Sequence, residues 1–145
     1  MKYITVVEIP KGSDRRIHMA YDNSGFIDLG PIKDQISVNE GVMPVAYGYL
    51  LNYINANEKD NVDSLIFSEN EFKTGDEVEV EVFGMLTRED GDHKVLVKDS
   101  TVNFKNFDEL SDKKLLIDYF GFKSKVISVG DESDTKEYLN SCLVT

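Results

Sequence analysis

Three carboxylates crowd against an apolar run in the segment NEKDNVDSLIF, Asn57 to Phe67: Glu58, Asp60 and Asp63, the last two forming a D-x-x-D pair. Side chains that offer only oxygen suit a hard divalent cation such as Mg2+, whose octahedral shell is completed by water and substrate phosphate. The same letters also describe a wet turn ahead of a strand, since charged residues before an apolar run commonly face solvent. A second acidic group lies in REDGDHK, with Glu89, Asp90 and Asp92. There too a plain structural reading stands beside the chemical one, because Asp-Gly is a strong hairpin signal. The following Lys94 adds something further. Asp92 and Lys94 are two apart on a strand and so project from one face, which puts a metal ligand beside a binder of phosphate. Metal ions would let an acidic protein hold an anionic substrate that it would otherwise repel.

Positioning these groups falls to a chain dominated by strand signals. KYITVVEI is β-branched and ends at Pro10, and the runs IHMAY and GFIDL flank the turn signal Asp22-Asn23-Ser24-Gly25, which reads as a hairpin. From Asp76 to Phe83 the pattern alternates strictly, with Val78, Val80 and Val82 on a core face and Glu77, Glu79 and Glu81 on a wet one. HKVLVKD follows across a turn built on Asp90-Gly91, so these two runs should pair antiparallel, and the hairpin tip should face the loop that carries Glu58 and Asp60. Behind Ser111, which reads as the N-cap, the residues Leu115, Leu116, Tyr119 and Phe120 recur at helical spacing, which predicts a helix over about 112–120 whose aromatic residues pack into the core. KVISVG reads as a short strand and SDTKEYLNSCL as a last helix capped by Ser133 or Asp134. Many strands followed by late helices indicate an α+β fold dominated by β, or a closed barrel with helices outside.

The chain has 145 residues, 41% of them hydrophobic and 30% charged, without repeats or linkers, so a single domain spanning 1–145 is expected. Its formal charge of -11 opposes binding along nucleic acid, whose phosphates call for a basic surface. The lone Cys142 precludes a disulfide within the chain and reads as a small buried hydrophobe. The start carries no secretory pattern and no run reaches the length of a membrane span, so the expectation is a soluble, cytoplasmic protein without a membrane partner.

Taken in order, VVEIPKGS, MPVAYGYL, EKDNVDSLI, FGMLTREDGDHKVLV and DYFGFK resemble the soluble family I inorganic pyrophosphatases across most of the chain. The resemblance implies a five-stranded closed barrel of the OB type with two flanking helices. It also implies hydrolysis of pyrophosphate to two phosphates with Mg2+, or Mn2+ in its place, and a homo-oligomer, commonly a hexamer. Carried over by position, Glu58, Asp63 and Asp92 would hold the metals that activate water, with Asp90 joining Asp92 on a further metal. Asp60 would be the base. Arg16, Lys94 and Lys123 would grip phosphate, Tyr47 would hydrogen-bond near it, and Glu8 would be a supporting carboxylate. The sequence departs from the family's pattern at several positions: Leu29 stands in place of a phosphate-binding arginine, Met43 and Phe122 in place of tyrosines, and His18 in place of a glutamate. His18 reads as a satisfied surface histidine. Two functions follow from this pattern. One is a working Mg2+-dependent inorganic diphosphatase. The other is a catalytically impaired relative that binds a divalent metal, a phosphate-containing ligand or a protein partner.

Overall fold

The computed structural model of the chain describes residues 2–57 and 59–144. Its strands are β1 (Tyr3–Ile9), β2 (Arg15–Met19), β3 (Phe26–Pro31), β4 (Ala46–Asn55), β5 (Asp60–Phe67), β6 (Glu77–Arg88), β7 (Lys94–Lys98) and β8 (Val126–Gly130), with helices α1 (Lys113–Phe120) and α2 (Glu132–Cys142). Strands β1, β4, β5, β7 and β6 close into a ring, because β6 pairs with β7 on one side and returns to β1 on the other. The result is the expected five-stranded barrel, mixed rather than antiparallel, since β5 and β7 run parallel. Strand β8 extends the far end of β6, and β2 with β3 forms a separate hairpin.

The strict alternation of β6 does what it predicts: Val80 and Val82 are buried while Glu77, Glu79 and Glu81 are exposed. In β7 both faces are buried. Val95 and Val97 join one apolar cluster with Leu139 and Cys142 of α2, and Leu96 joins another with Leu116, Tyr119 and Phe120 of α1. A barrel wall covered on both sides reads as a continuous apolar run, which is why VLV shows no alternation. Where β1 crosses β4 the backbones nearly touch: a Cβ on Gly48 would lie 1.9 Å from the carbonyl oxygen of Val6, so only glycine fits. Close by, the buried Thr5 hydroxyl donates to the Tyr49 carbonyl at 3.0 Å and bonds the Ser64 hydroxyl at 2.6 Å, so polar groups within the wall are satisfied.

The helix starts differ from the sequence expectation. Helix α2 is capped by Asp131, not by Ser133 or Asp134; Asp131 accepts from the Asp134 N–H, and the Asp134 carboxylate accepts in return from the Asp131 N–H. Asp131 wins because Gly130 ends β8 immediately before it, leaving it extended at the cap position, and Asp134 closes the reciprocal box. The cap position of α1 is Asp112 rather than Ser111, and it makes no side-chain cap bond. Among the described residues, no helix is long and apolar enough to cross a membrane.

Candidate functional site

Lys94 opens β7, and the parallel pairing of β5 with β7 places it directly beside Asp63. Tyr47 belongs to β4 on the other side of β5. The Lys94 ammonium is buried and donates to Asp63 Oδ2 at 2.6 Å, to the Tyr47 hydroxyl at 3.0 Å and to Asp92 Oδ2 at 3.2 Å. Burial works against the charge on Lys94, but Asp63 and Asp92 outweigh it and raise its pKa. Asp92 is pushed up to about 6, first by burial and then by Asp63, against the opposing pull of Lys94. Burial and the surrounding carboxylates hold the Tyr47 phenol well above its usual range, so it stays protonated. Its ring stacks on Phe120 at 6.0 Å and meets His18 edge-on.

Asp92 and Asp90 reach this cluster from the β6–β7 turn. Gly91 at its tip has a φ of +80°, and a Cβ there would meet Asn57 Nδ2 at 2.7 Å, so conformation and space both select glycine. The Gly91 carbonyl accepts from Asn55 Nδ2 at 2.9 Å, which ties the tip to the end of β4. Asp90 Oδ1 accepts from the Asp92 N–H at 2.9 Å, and the Arg88 N–H donates to His93 Nδ1 at 3.0 Å. Despite partial burial, the Asp92 N–H and Arg88 hold the Asp90 carboxyl below its ordinary range.

Two hollows of opposite charge meet at this cluster. The first, about 330 Å³, is lined by Arg16, Arg88, Lys94 and Lys123 against Asp90 and Asp92, with Tyr47 and Met43 among its other walls. The second, about 320 Å³, is lined by Glu8, Asp60 and Asp63 with no lysine or arginine, and by Leu29. His18 lines both. The Asp63–Lys94 ion pair therefore joins one hollow to the other. On a protein of charge -11, a cleft with four cations against two carboxylates suits an anion. The acidic hollow beside it suits a cation.

The residues expected from the sequence divide between these hollows. Arg16, Tyr47, Asp90, Asp92, Lys94 and Lys123 line the basic cleft, and Lys123 donates to Gln35 at 2.9 Å across it. Glu8, Asp60 and Asp63 line the acidic one. Glu8 is buried and accepts from the Met19 N–H at 2.7 Å, with His18 Nδ1 at 3.7 Å. Asp60 is exposed and accepts from the N–H of its own neighbour Asn61. Both aspartates lie within β5 rather than in a loop before it. Glu58 falls outside the described residues. Among the described residues, no three His, Cys, Asp or Glu side chains form a ready-made metal cluster. His18 is half-buried between the hollows rather than on the open surface.

Arg88 escaped the sequence reading. Its signal was its spacing: Arg88, Asp90 and Asp92 alternate around the turn glycine, which lets one guanidinium reach both carboxylates.

The family model described as inorganic pyrophosphatase matches residues 5–140. No curated protein matches the chain. Among solved structures, an inorganic pyrophosphatase from Ehrlichia chaffeensis is similar with a TM-score of 0.83 and 18% identity, covering 98% of this chain and 93% of that one. One from Neisseria gonorrhoeae gives 0.78 and 21%, with 96% and 87% covered. One from Thermus thermophilus gives 0.78 and 20%, with 97% and 88% covered. At these identities the structural likeness speaks for the fold.

Proposed function

From the premise that this chain belongs to the inorganic pyrophosphatase family, we propose that it hydrolyses inorganic pyrophosphate to two phosphates with Mg2+, or Mn2+ in its place. The observation that carries this reading is the pair of hollows, one basic and one acidic, joined through Asp63 and Lys94.

The donor set fits a hard cation. Asp63 and Asp92 share one ammonium, and burial together with the repulsion of Asp63 raises the Asp92 carboxyl to about 6. A divalent ion held by Asp63 and Asp92, with Glu58 by resemblance, would relieve that repulsion using oxygen ligands alone. When bound there, Mg2+ supplies neutralisation of phosphate charge and eases deprotonation of water. The chain's own residues do the rest. Arg16 and Lys123 line the basic cleft and orient the phosphate oxygens, while Lys94, fixed by Asp63, presents a positive charge at its floor. Tyr47, kept protonated, is a neutral hydrogen-bond donor beside them. Asp60, exposed in the acidic hollow, accepts the proton of the attacking water, and Glu8 steadies His18 and the β2 backbone behind it. A homo-oligomer, of six chains by resemblance, is supported by the exposed Ile27 of β3 and by Ile127 and Val129 of β8; sedimentation would measure it.

Phosphate release from pyrophosphate with excess Mg2+ or Mn2+ tests the proposal. Turnover should depend on the metal, and Asp60→Asn should lower it by roughly 10²- to 10⁴-fold, the usual worth of a general base. Absence of metal-dependent release would overturn the enzymatic reading. Turnover that survives Asp60→Asn would remove Asp60 from its role.

A second reading, the catalytically impaired binder of metal and phosphate, is favoured by one specific pair of observations. Leu29 puts a half-exposed apolar side chain on the acidic hollow, and Met43 puts a buried one on the basic cleft. That reading expects calorimetric Mg2+ uptake, abolished by Asp63→Ala, without turnover.

A further inference from the structure

Arg88 ends β6 and is buried, with 9% of its side chain exposed, yet it lines the basic cleft. One terminal nitrogen lies 3.3 Å from Asp90 Oδ2, and the other lies 3.5 Å from the Asp92 carbonyl and 3.8 Å from Asp92 Oδ2. Its Nε is buried and, among the described residues, has no hydrogen-bond partner. A guanidinium carries five N–H donors, and here every contact made by its terminal nitrogens is long. Arg88 is thus a fixed cation between two carboxylates that holds unused donor capacity.

The pair it bridges is Asp90 and Asp92, the same pair that the resemblance would give to a further metal. That metal does not fit these residues. Both oxygens of Asp90 are engaged, Oδ1 with the Asp92 N–H and Oδ2 with Arg88, whereas Asp63 and Asp92 meet Lys94 through Oδ2; a divalent ion on Asp90 would lie against the guanidinium with neither oxygen free to hold it. Like charges at such range repel strongly where burial limits screening.

We propose that Arg88 is a built-in cation that takes the place of a metal ion at the Asp90–Asp92 pair and offers the loosely engaged N–H groups of its terminal nitrogens to a phosphate group in the basic cleft. The consequence is one metal fewer per chain than the carboxylates alone would hold. Arginine is suited to the exchange because it cannot lose its proton and matches two phosphate oxygens at once. The inference rests on reading Asp92 as part of a metal-binding, phosphate-handling site, but its test counts metal and does not depend on turnover.

Mn2+ bound per chain is counted by equilibrium dialysis with electron paramagnetic resonance, for the wild type, Arg88→Gln and Asp90→Asn, each checked for fold by circular dichroism. Arg88→Gln should take up one more Mn2+ than the wild type. Asp90→Asn, at a half-exposed side chain that threatens no packing, should leave the count unchanged. In metal-free protein, Arg88→Gln should also weaken orthophosphate binding by about tenfold or more, the loss expected of a charge-assisted hydrogen bond. An equal count in Arg88→Gln and wild type overturns the proposal, as does a lower count in Asp90→Asn or undiminished orthophosphate binding in Arg88→Gln. Should Arg88→Gln fail to fold, the Asp90→Asn count alone decides. A protein that hydrolyses no pyrophosphate yet gains Mn2+ in Arg88→Gln would sink the enzymatic reading and leave this one standing.

Discussion

Replacing Asp92 by asparagine should make the metal-free protein more stable at neutral pH. The Asp92 carboxyl is held at about 6 against an ordinary 3.8, through burial and the neighbouring Asp63, and Lys94 offsets this only in part. At roughly 1.4 kcal/mol for each pKa unit, ionised Asp92 disfavours the folded state at pH 7 by about 3 kcal/mol. The side chain is 28% exposed, so solvent reduces this to about 2 kcal/mol. The sign follows from proton binding: between the unfolded and folded pKa values the native protein holds more protons than the unfolded chain. Wild-type stability therefore falls as pH rises from about 4 to 6, and Asp92→Asn lacks that fall. Urea unfolding with EDTA, at pH 7 and pH 4.5, should show the variant ahead by about 2 kcal/mol at pH 7 and by less than about 1 kcal/mol at pH 4.5. Added Mg2+ should stabilise the wild type more than the variant. A variant less stable than wild type at pH 7 without metal would refute the reasoning, because the bonds of Asp92 to Lys94 and Arg88 would then outweigh its burial and repulsion.

Lys94→Met should cost about 3–5 kcal/mol in denaturant unfolding, since it strands Asp63 and Asp92 without their shared ammonium, and Mg2+ should restore part of the loss. Gly48→Ala should cost more than about 4 kcal/mol or yield insoluble protein on expression, because its Cβ would stand 1.9 Å from the Val6 carbonyl oxygen. Leu29→Arg should leave thermal stability within about 0.5 kcal/mol, because Leu29 is 48% exposed. The same change should raise kcat/KM for pyrophosphate by about tenfold or more if the acidic hollow adjoins the substrate; an unchanged value would place the substrate elsewhere. Met43→Tyr is the contrasting case. Met43 is 4% exposed in the core beneath the basic cleft, so overpacking should cost about 1–3 kcal/mol in the same unfolding assay.

Much of this was legible wherever the physics is local. The alternation of Val and Glu in β6, the Asp90-Gly91 turn and the spacing of Leu115, Leu116, Tyr119 and Phe120 in α1 each depend on residues a few positions apart, and each formed as expected except that Leu115 is only half-buried. The acidic segment was harder. Asp60 and Asp63 looked like a turn because their charges mask the start of an apolar strand in which Val62 and Ile66 pack into one cluster and Leu65 into the other, yet the strand begins at Asp60. The cap of α2 was misplaced because Asp131, Ser133 and Asp134 are all good cap residues, and only the end of β8 at Gly130 decides among them. Arg88 was invisible as a site residue because a charged residue beside a turn usually faces solvent, whereas this one is covered by its own hairpin and lies 3.8 Å or less from carboxylate oxygens of Asp90 and Asp92.

By itself the sequence determined the strand-rich character, the β6–β7 hairpin, the family and the supply of oxygen ligands and cations, because these follow from composition, short-range spacing and motif order. Only the tertiary structure decided which of those charges meet. Asp63 and Lys94 stand 31 residues apart and touch because β5 and β7 pair in parallel, a contact that no hairpin or local turn can encode. That register is held by burial on both faces of the wall, where a slip of one residue would exchange the residues packed toward α1 with those packed toward α2. Closure of the ring then sets a basic cleft against an acidic hollow and buries Arg88 between Asp90 and Asp92. The letters could name these charges, but only the closed barrel could pair them.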